Sequence, residues 1–323
     1  MQKRNNLLKV IQADDPMARD NLTIVVEFIL LGFSDLPNLQ GFLFAVFFII
    51  YISILIGNGL LIIITKIDPS LQTPMYFFLG NFSFLEICYT SVTLPRMLAD
   101  LWTQKRTISF LQCAVQTCSL YILGVAECLL LAVMAYDRYV AICKPLYYPL
   151  IMNRRICIQL VVVSWIFGVP VLVEETYQIF CLNFCGPNKL NHIFCDAPPL
   201  LELACGDTYK REISVHVAAL AFVIIPFLLI LTSYVKIIIT ILRLPSTSGR
   251  SKAFSTCSSH LIVVSLFYGS GSIVYLRPKS HHSTGSVKVF ALFYTTVIPM
   301  FNPFIYSLRN KDVIAALRKL CPK

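Results

Sequence analysis

The stretch GVAECLLLAVMAYDRYVAIC, Gly124 to Cys143, decides how the whole chain is read. Leu129 to Ala135 is unbroken apolar sequence, yet Glu127 lies just before it, and Asp137 and Arg138 stand side by side just after it. In lipid each of these charges costs at least a few kcal/mol on insertion scales. Charges persist in such a helix where they face a protein interior or reach the membrane edge. The stretch therefore reads as a membrane helix with a polar inner face and a working end.

Composition agrees. The 323 residues are 57% hydrophobic and only 14% charged, with a mean hydropathy of +0.72. A soluble domain is about 45–50% apolar and about 25% charged, so lipid is the solvent that this chain fits. Lys and Arg exceed Asp and Glu by 27 to 17. They fall mostly in short loops between apolar runs rather than in a basic stripe interleaved with aromatics, which speaks against nucleic acid as a partner.

Runs of about 20 apolar residues are long enough to cross a bilayer as helices. Seven are read, near 41–65, 75–98, 113–136, 157–177, 213–242, 254–276 and 287–308. Pro170, Pro226, Pro299 and Pro303 lie within them and are expected to bend them, because each removes a backbone donor. An odd number of spans puts the termini on opposite sides. The sequon Asn21-Leu22-Thr23 points to an outside N-terminus glycosylated at Asn21. Lys236 to Lys252 holds four basic residues and no acid, as a cytoplasmic loop would, while Glu174 to Glu212 is rich in acids. No compact apolar stretch follows a basic start in the first forty residues, so no cleavable signal is expected. The reading divides the chain into an outside segment 1–40, with 1–16 a disordered extension, a membrane domain 41–308, and an inner tail 309–323.

Of the twelve cysteines, Cys113, Cys181, Cys185, Cys195 and Cys205 fall at the outer side, where disulfides persist. Five is odd, so at least one stays unpaired, and sequence leaves the connectivity open. Their spacing fits no standard zinc site.

Polar residues inside the spans are the sharper clue. Asn58, Glu86, Glu127 and Asn302 lie at comparable depths in spans one, two, three and seven, so they are expected to converge on one buried network. Two acids there call for a shared proton or a cation such as sodium at Glu86 and Glu127; a purely structural network is the competing reading. Asp137-Arg138-Tyr139 is read as a partly exposed acid–base pair at the inner edge. Neighbours on a helix face each other poorly, so the pair breaks at modest cost and frees Arg138 for a cytoplasmic partner.

Ordered motifs run along nearly the whole chain: Gly57-Asn58, PMYFFL at 74–79, LPRML at 94–98, MAYDRYVAIC at 134–143, Ser233-Tyr234, KAFSTCSSH at 252–260 and PMFNPFIYSLRN at 299–310. In these the chain resembles rhodopsin-like G-protein-coupled receptors, and among them olfactory receptors. The resemblance implies an all-α bundle of seven transmembrane helices with a short C-terminal amphipathic helix. It implies disulfides Cys113–Cys195 and Cys185–Cys205, with Cys181 left over. Arg138, flanked by Asp137 and Tyr139, would engage the G protein. Asn302, Pro303 and Tyr306 would form the switch of span seven, with Tyr234 closing onto it. Residues 310–323 would lie along the membrane, with Val313, Ile314, Leu317 and Leu320 on one face. Lys144 and Phe301 depart from the family's usual His and Leu, and no acid in Ser246–Cys257 is available to lock Arg138.

The resemblance also implies an odorant pocket. Its lining would be Leu120, Tyr121, Gly124, Val125 and Cys128 in span three, Ala218, Ala219 and Phe222 in span five, Tyr268, Gly271, Ser272 and Tyr275 in span six, and Thr295 in span seven. This lining is apolar and uncharged, which suits a small, neutral, mostly hydrophobic ligand. Leu120 stands where amine receptors carry an acid, so an amine is not expected. The expected function is odorant detection coupled to a stimulatory olfactory-type G protein and cAMP, without enzymatic activity or cofactor, in the plasma membrane of olfactory cilia. A transporter or channel using Glu86 and Glu127 in an ion path is the alternative, weakened by the lack of an internal repeat.

Overall fold

The apolar runs become helices that outlast the hydrocarbon-length segments read from sequence, and polar side chains cap the starts of two of them. The structure, a computed structural model, describes residues 25–184, 187–243, 246–275, 284–308 and 311–320. Asn21, Cys185 and residues 1–16 lie outside the described residues, as does the side chain of Tyr275. Helix α1 spans Gln40–Ile67, α2 Pro74–Thr103, α3 Phe110–Cys143, α4 Arg154–Phe180 and α5 Tyr209–Arg243. Helix α6 spans Thr247–Tyr275. Helix α7 runs through three consecutive segments, Thr284–Leu292, Phe293–Val297 and Ile298–Leu308, and α8 spans Lys311–Leu320.

Among the described residues six helices are long and apolar enough to cross a membrane: α1 to α5, and Lys288–Tyr306 of α7. The run expected at 254–276 is helical but stands outside that set. The first half of α6 is mostly polar, and Ser265, Gly269, Ser270, Gly271 and Ser272 dilute the second. Caps set several boundaries. Ser109 and Gln112 form a reciprocal capping box at the start of α3, and Asn153 accepts from the Ile156 amide at 3.0 Å to start α4.

The prolines act as their chemistry requires. Proline lacks an amide hydrogen and its ring crowds the carbonyl four residues back. Leu220–Ile224, just before Pro226, and Phe293–Val297, just before Pro299, widen into π-turns. Pro170 opens the second half of α4, after a break at Phe167 and Gly168. A Cβ on Gly168 would sit 2.9 Å from Val125 Cγ1, so the bare backbone lets α4 come close against α3.

The all-α expectation needs one correction, at the end of the bundle where α3 begins. Strands β1 (Glu27–Leu30), β2 (Thr107–Ser109) and β3 (Lys189–Leu190) form a three-stranded sheet in the order β2-β1-β3. Strand β1 runs antiparallel to β2, with Phe28 opposite Ile108, and parallel to β3, with Leu30 opposite Leu190. Alternation explains it: Phe28 and Leu30 turn inward while Glu27 faces out. Phe28 is fully buried, edge-on to Phe184 at 5.3 Å and stacked on Phe110 at 6.0 Å. Residues before α1 are therefore part of the fold, packed on the loops that follow α2 and α4.

At the other end α8 turns Val313 and Ala316 inward, with Ile314 and Leu317 half-buried. Lys319 Nζ meets Asp68 Oδ2 at 2.8 Å, and the Tyr76 hydroxyl donates to Asp312 at 3.3 Å. Hydrogen bonds from Lys319 and Ser70 hold the Asp68 carboxyl well below its ordinary range, at about 2. A lowered carboxyl stabilises the docked state above its ordinary range and loses that contribution only as pH falls toward the lowered value.

Two outcomes follow. Replacing Phe28 by Ala removes a fully buried ring, at a cost of about 3–5 kcal/mol to the outer core. Surface labelling should fall and protease cleavage of the outer loops should rise, while Val26→Ala, at an exposed position, leaves both unchanged. Docking of α8, followed by fluorescence from a probe on its exposed face, should stay constant from about pH 8 to about pH 5 and loosen only in stronger acid.

Candidate functional site

Three groups of side chains sit along α3. At mid-membrane, Glu86 and Glu127 are buried on facing helices, and the Asn302 amide donates to Glu86 Oε1. Glu127 lies within electrostatic range of Glu86. Asn58 does a separate job. Its amide donates to the Ile54 carbonyl at 3.1 Å and to the Pro299 carbonyl at 3.3 Å. Pro299 is four residues before Pro303, which has no amide hydrogen to return, so the side chain of Asn58 supplies the missing donor. A Cβ on Gly57 would come within 3.2 Å of the Pro303 ring, which explains why a small residue precedes Asn58. The single network expected from sequence thus resolves into an α1–α7 tie and an α2–α7 tie with Glu127 beside it. Glu86 Oε2, Asn302 Oδ1 and Asn58 Oδ1 are buried oxygens with no hydrogen-bond partner among the described residues.

The C-terminal end of α3 corrects the reading of Asp137 and Arg138. Asp137 is buried rather than partly exposed; Oδ1 accepts from the Tyr148 hydroxyl at 2.8 Å, and Arg138 reaches Oδ2 only at 3.5 Å. Burial and the adjacent carboxylate push the Tyr148 phenol up. Tyr234 shares a 2.7 Å hydrogen bond with Nδ1 of His260, their rings stacked at 5.7 Å. Arg138 lies within electrostatic range of Tyr234, Cys257, His260 and Tyr306. Tyr234 is therefore held on α6, and the Tyr306 hydroxyl has no hydrogen bond among the described residues. The ammonium of Lys236 lies 5.4 Å and that of Lys144 6.0 Å from the centre of the Tyr139 ring. Beside them an open concavity of about 410 Å³ is lined by Cys143, Lys144, Pro145, Leu146, Tyr147 and Ile151.

Toward the sheet-bearing end, Val125, Leu172 and Phe222 form one apolar cluster, with Tyr121 and Ala218 against it. Leu120, Cys128, Tyr268 and Thr295 are buried, Gly124, Ala219 and Gly271 half-buried, and Ser272 exposed. The Tyr268 ring lies 4.8 Å from Phe227, and its hydroxyl is buried with no hydrogen-bond partner among the described residues. A Cβ on Gly124 would meet nothing within 4 Å, so space opens between Tyr121 and Cys128. Phe222 and Thr295 each sit in a π-turn, a distortion that recurs at functional sites.

A disulfide joins Cys113 to Cys195, the pairing that the resemblance implies. Gln116 secures it, accepting from the Cys195 amide at 3.0 Å and donating to the Val92 carbonyl at 3.0 Å. Cys205 is also disulfide-bonded, with its partner outside the described residues. Cys181 is a free, exposed thiol. Among the described residues no group of three or more His, Cys, Asp or Glu is placed to hold a metal ion.

Tyr148, Gln116, Gly57 and His260 are functional neighbours that sequence reasoning left without a task. Gly57 and His260 stand inside quoted motifs, so their signal was present. Tyr148 and Gln116 act through contacts that no local pattern encodes. Replacing Asn58 by Leu should strand the Pro299 carbonyl and cost about 0.6–1.7 kcal/mol, the range measured for membrane hydrogen bonds. Thermal denaturation in nanodiscs reads it, with Asn81→Leu, whose amide bonds only within its own helix, showing the smaller shift.

Comparison with known proteins agrees with this geometry. A family model described as "Olfactory receptor" matches residues 47–323. The chain is 60% identical to olfactory receptor 10AG1 of Homo sapiens over 92% of its own length and 99% of that protein. It is 54% identical to human olfactory receptor 10A5 over 94% of its length and 96% of that one. Squid rhodopsin shares the fold at a TM-score of 0.72 with 19% identity, covering 88% of this chain and 81% of the other. The chain belongs to the olfactory receptor family of rhodopsin-like G-protein-coupled receptors, multi-pass plasma-membrane proteins that bind odorants and signal through G proteins rather than catalyse a reaction.

Proposed function

We propose that this receptor binds small, neutral, mostly hydrophobic odorants between α3, α5, α6 and α7, and activates a stimulatory olfactory-type G protein that raises cAMP. In this reading α6 also crosses the membrane, which completes seven spans in a domain over 41–308. The N-terminal segment 1–40 is outside and glycosylated at Asn21, the tail 309–323 is cytoplasmic, and the receptor works in olfactory cilia. The observation that carries it is the course of α3. One unbroken helix has Tyr121, Gly124, Val125 and Cys128 at an apolar, partly open face and Arg138 at its far end.

The mechanism follows from differential binding. An odorant that packs better against one arrangement of α3, α5 and α6 shifts the population toward it. Tyr234, now on His260, exchanges that partner for the Tyr306 side, and α6 moves away from Arg138. Asn302 and Pro303 give α7 its freedom at the same level. A sodium ion between Glu86 and Glu127 would favour the resting arrangement, and the unpartnered oxygens of Glu86, Asn302 and Asn58 supply acceptors of the right kind. The second outer disulfide is assigned to Cys185 and Cys205. It is supported by the Cys205 amide donating to the Asn183 carbonyl at 2.8 Å and by the bridge of Phe184 to Ala204.

A cAMP reporter in cells given an odorant panel tests the reading. Arg138→Ala should abolish the response at unchanged surface level. Tyr268→Ala and Thr295→Val should each raise the half-effective concentration about tenfold, the equivalent of one lost contact of about 1.4 kcal/mol. An unmoved dose-response in both pocket variants contradicts the assignment. Glu127→Gln should make the response indifferent to sodium concentration.

A further inference from the structure

The outer half of the apolar cluster carries an acid that a helix-by-helix reading of the pocket leaves out. Glu175 on α4 is half-buried and accepts a hydrogen bond from the Ser214 hydroxyl on α5. Residues three or four apart share a helix face. Glu175 is three after Leu172, and Ser214 is four before Ala218, so both stand one turn beyond the cluster of Val125, Leu172 and Phe222. From α3, Tyr121 packs against that cluster and lies within electrostatic range of Glu175. Three helices thus present an apolar floor with one carboxylate at its edge.

The other charges near this edge are engaged or peripheral. Asp196 is buried and caps a short helix, Ala197–Leu203, by accepting from the Ala197 amide at 2.8 Å. Lys210 and Arg211 lie on the first turn of α5, beyond Ser214. Glu175 takes part in none of the ion pairs among the described residues. Ser214 satisfies one carboxylate oxygen, and the second stays available to a donor.

We infer that Glu175 is a specificity-determining residue: its carboxylate receives the hydrogen-bond donor of a neutral odorant, an alcohol hydroxyl, whose carbon chain lies on the Val125–Phe222 floor. The inference rests on the proposed pocket and sharpens its chemistry. An aldehyde or ester of equal length has no donor to offer, and its carbonyl faces a repelling oxygen.

The test uses the full-length receptor, a cAMP reporter, and matched straight-chain alcohols and aldehydes. The wild type should respond to alcohols at lower concentration than to aldehydes. Glu175→Gln keeps an oxygen for Ser214 but loses the charge; it should raise the half-effective concentration of donors about tenfold and leave aldehydes unchanged. Ser214→Ala keeps the charge and should preserve the donor preference. If Glu175→Gln fails to reach the surface, Glu175→Asp carries the test: it retains the preference with weaker potency. A wild type without donor preference, including one silent to alcohols, overturns the inference, as does a variant that shifts both series equally or neither. Failure of the pocket itself reads differently, because Tyr268→Ala and Thr295→Val would then move no probe.

Discussion

Pro303 has no amide hydrogen, and much of the bundle is arranged around the carbonyl this leaves behind. In lipid an unanswered backbone carbonyl is costly, and water is not there to answer it. Asn58 reaches across from α1 to the Pro299 carbonyl, and Gly57 lets the Pro303 ring come close enough for that reach. The same segment of α7 presents Asn302 to Glu86 on α2, which in turn lies by Glu127 on α3. Four helices are registered at one depth by hydrogen bonds and charge rather than by apolar packing, which in lipid gives little preference for one depth over another. The donor that Pro303 withholds is what makes the tie from Asn58 necessary.

From that level α3 runs both ways without a break. Toward the sheet it offers small and aromatic residues to a cluster shared with α4 and α5, closed above by the disulfide of Cys113 and by the Phe28 core. Toward the other end it carries Asp137, pinned by Tyr148, and Arg138, which lies 3.5 Å from Asp137 and within electrostatic range of Tyr234 and His260. The prolines of α5 and α7 follow a π-turn in each helix, and these turns hold Phe222 and Thr295, two residues of the proposed pocket.

Much of this was legible because lipid imposes a simple code. Long apolar runs, misplaced charges and interior prolines announce helices, buried partners and distortions, and Asn58, Glu86, Glu127 and Asn302 stood out for that reason. What the code misses is contact between distant segments. Strand β1 is four residues whose partners lie in two later loops. Tyr148 is a loop tyrosine until Asp137 is seen to be buried against it. Glu175 looks like an outer-loop acid until α4 is found to continue through it. Helix α6 was legible as a span, yet its serines, glycines and polar first half keep it outside the clearly apolar set.

The central claim is that α3 joins a ligand pocket to a G-protein contact through a registered middle, so that binding at one end separates helices at the other. Electron–electron distance measurements between spin labels at the inner ends of α3 and α6, in nanodiscs with and without an activating odorant, test it most directly. A longer-distance population that grows with odorant concentration and saturates with G-protein activation is the predicted result. Activation of G protein by odorant with an unchanged α3–α6 distance distribution would contradict it.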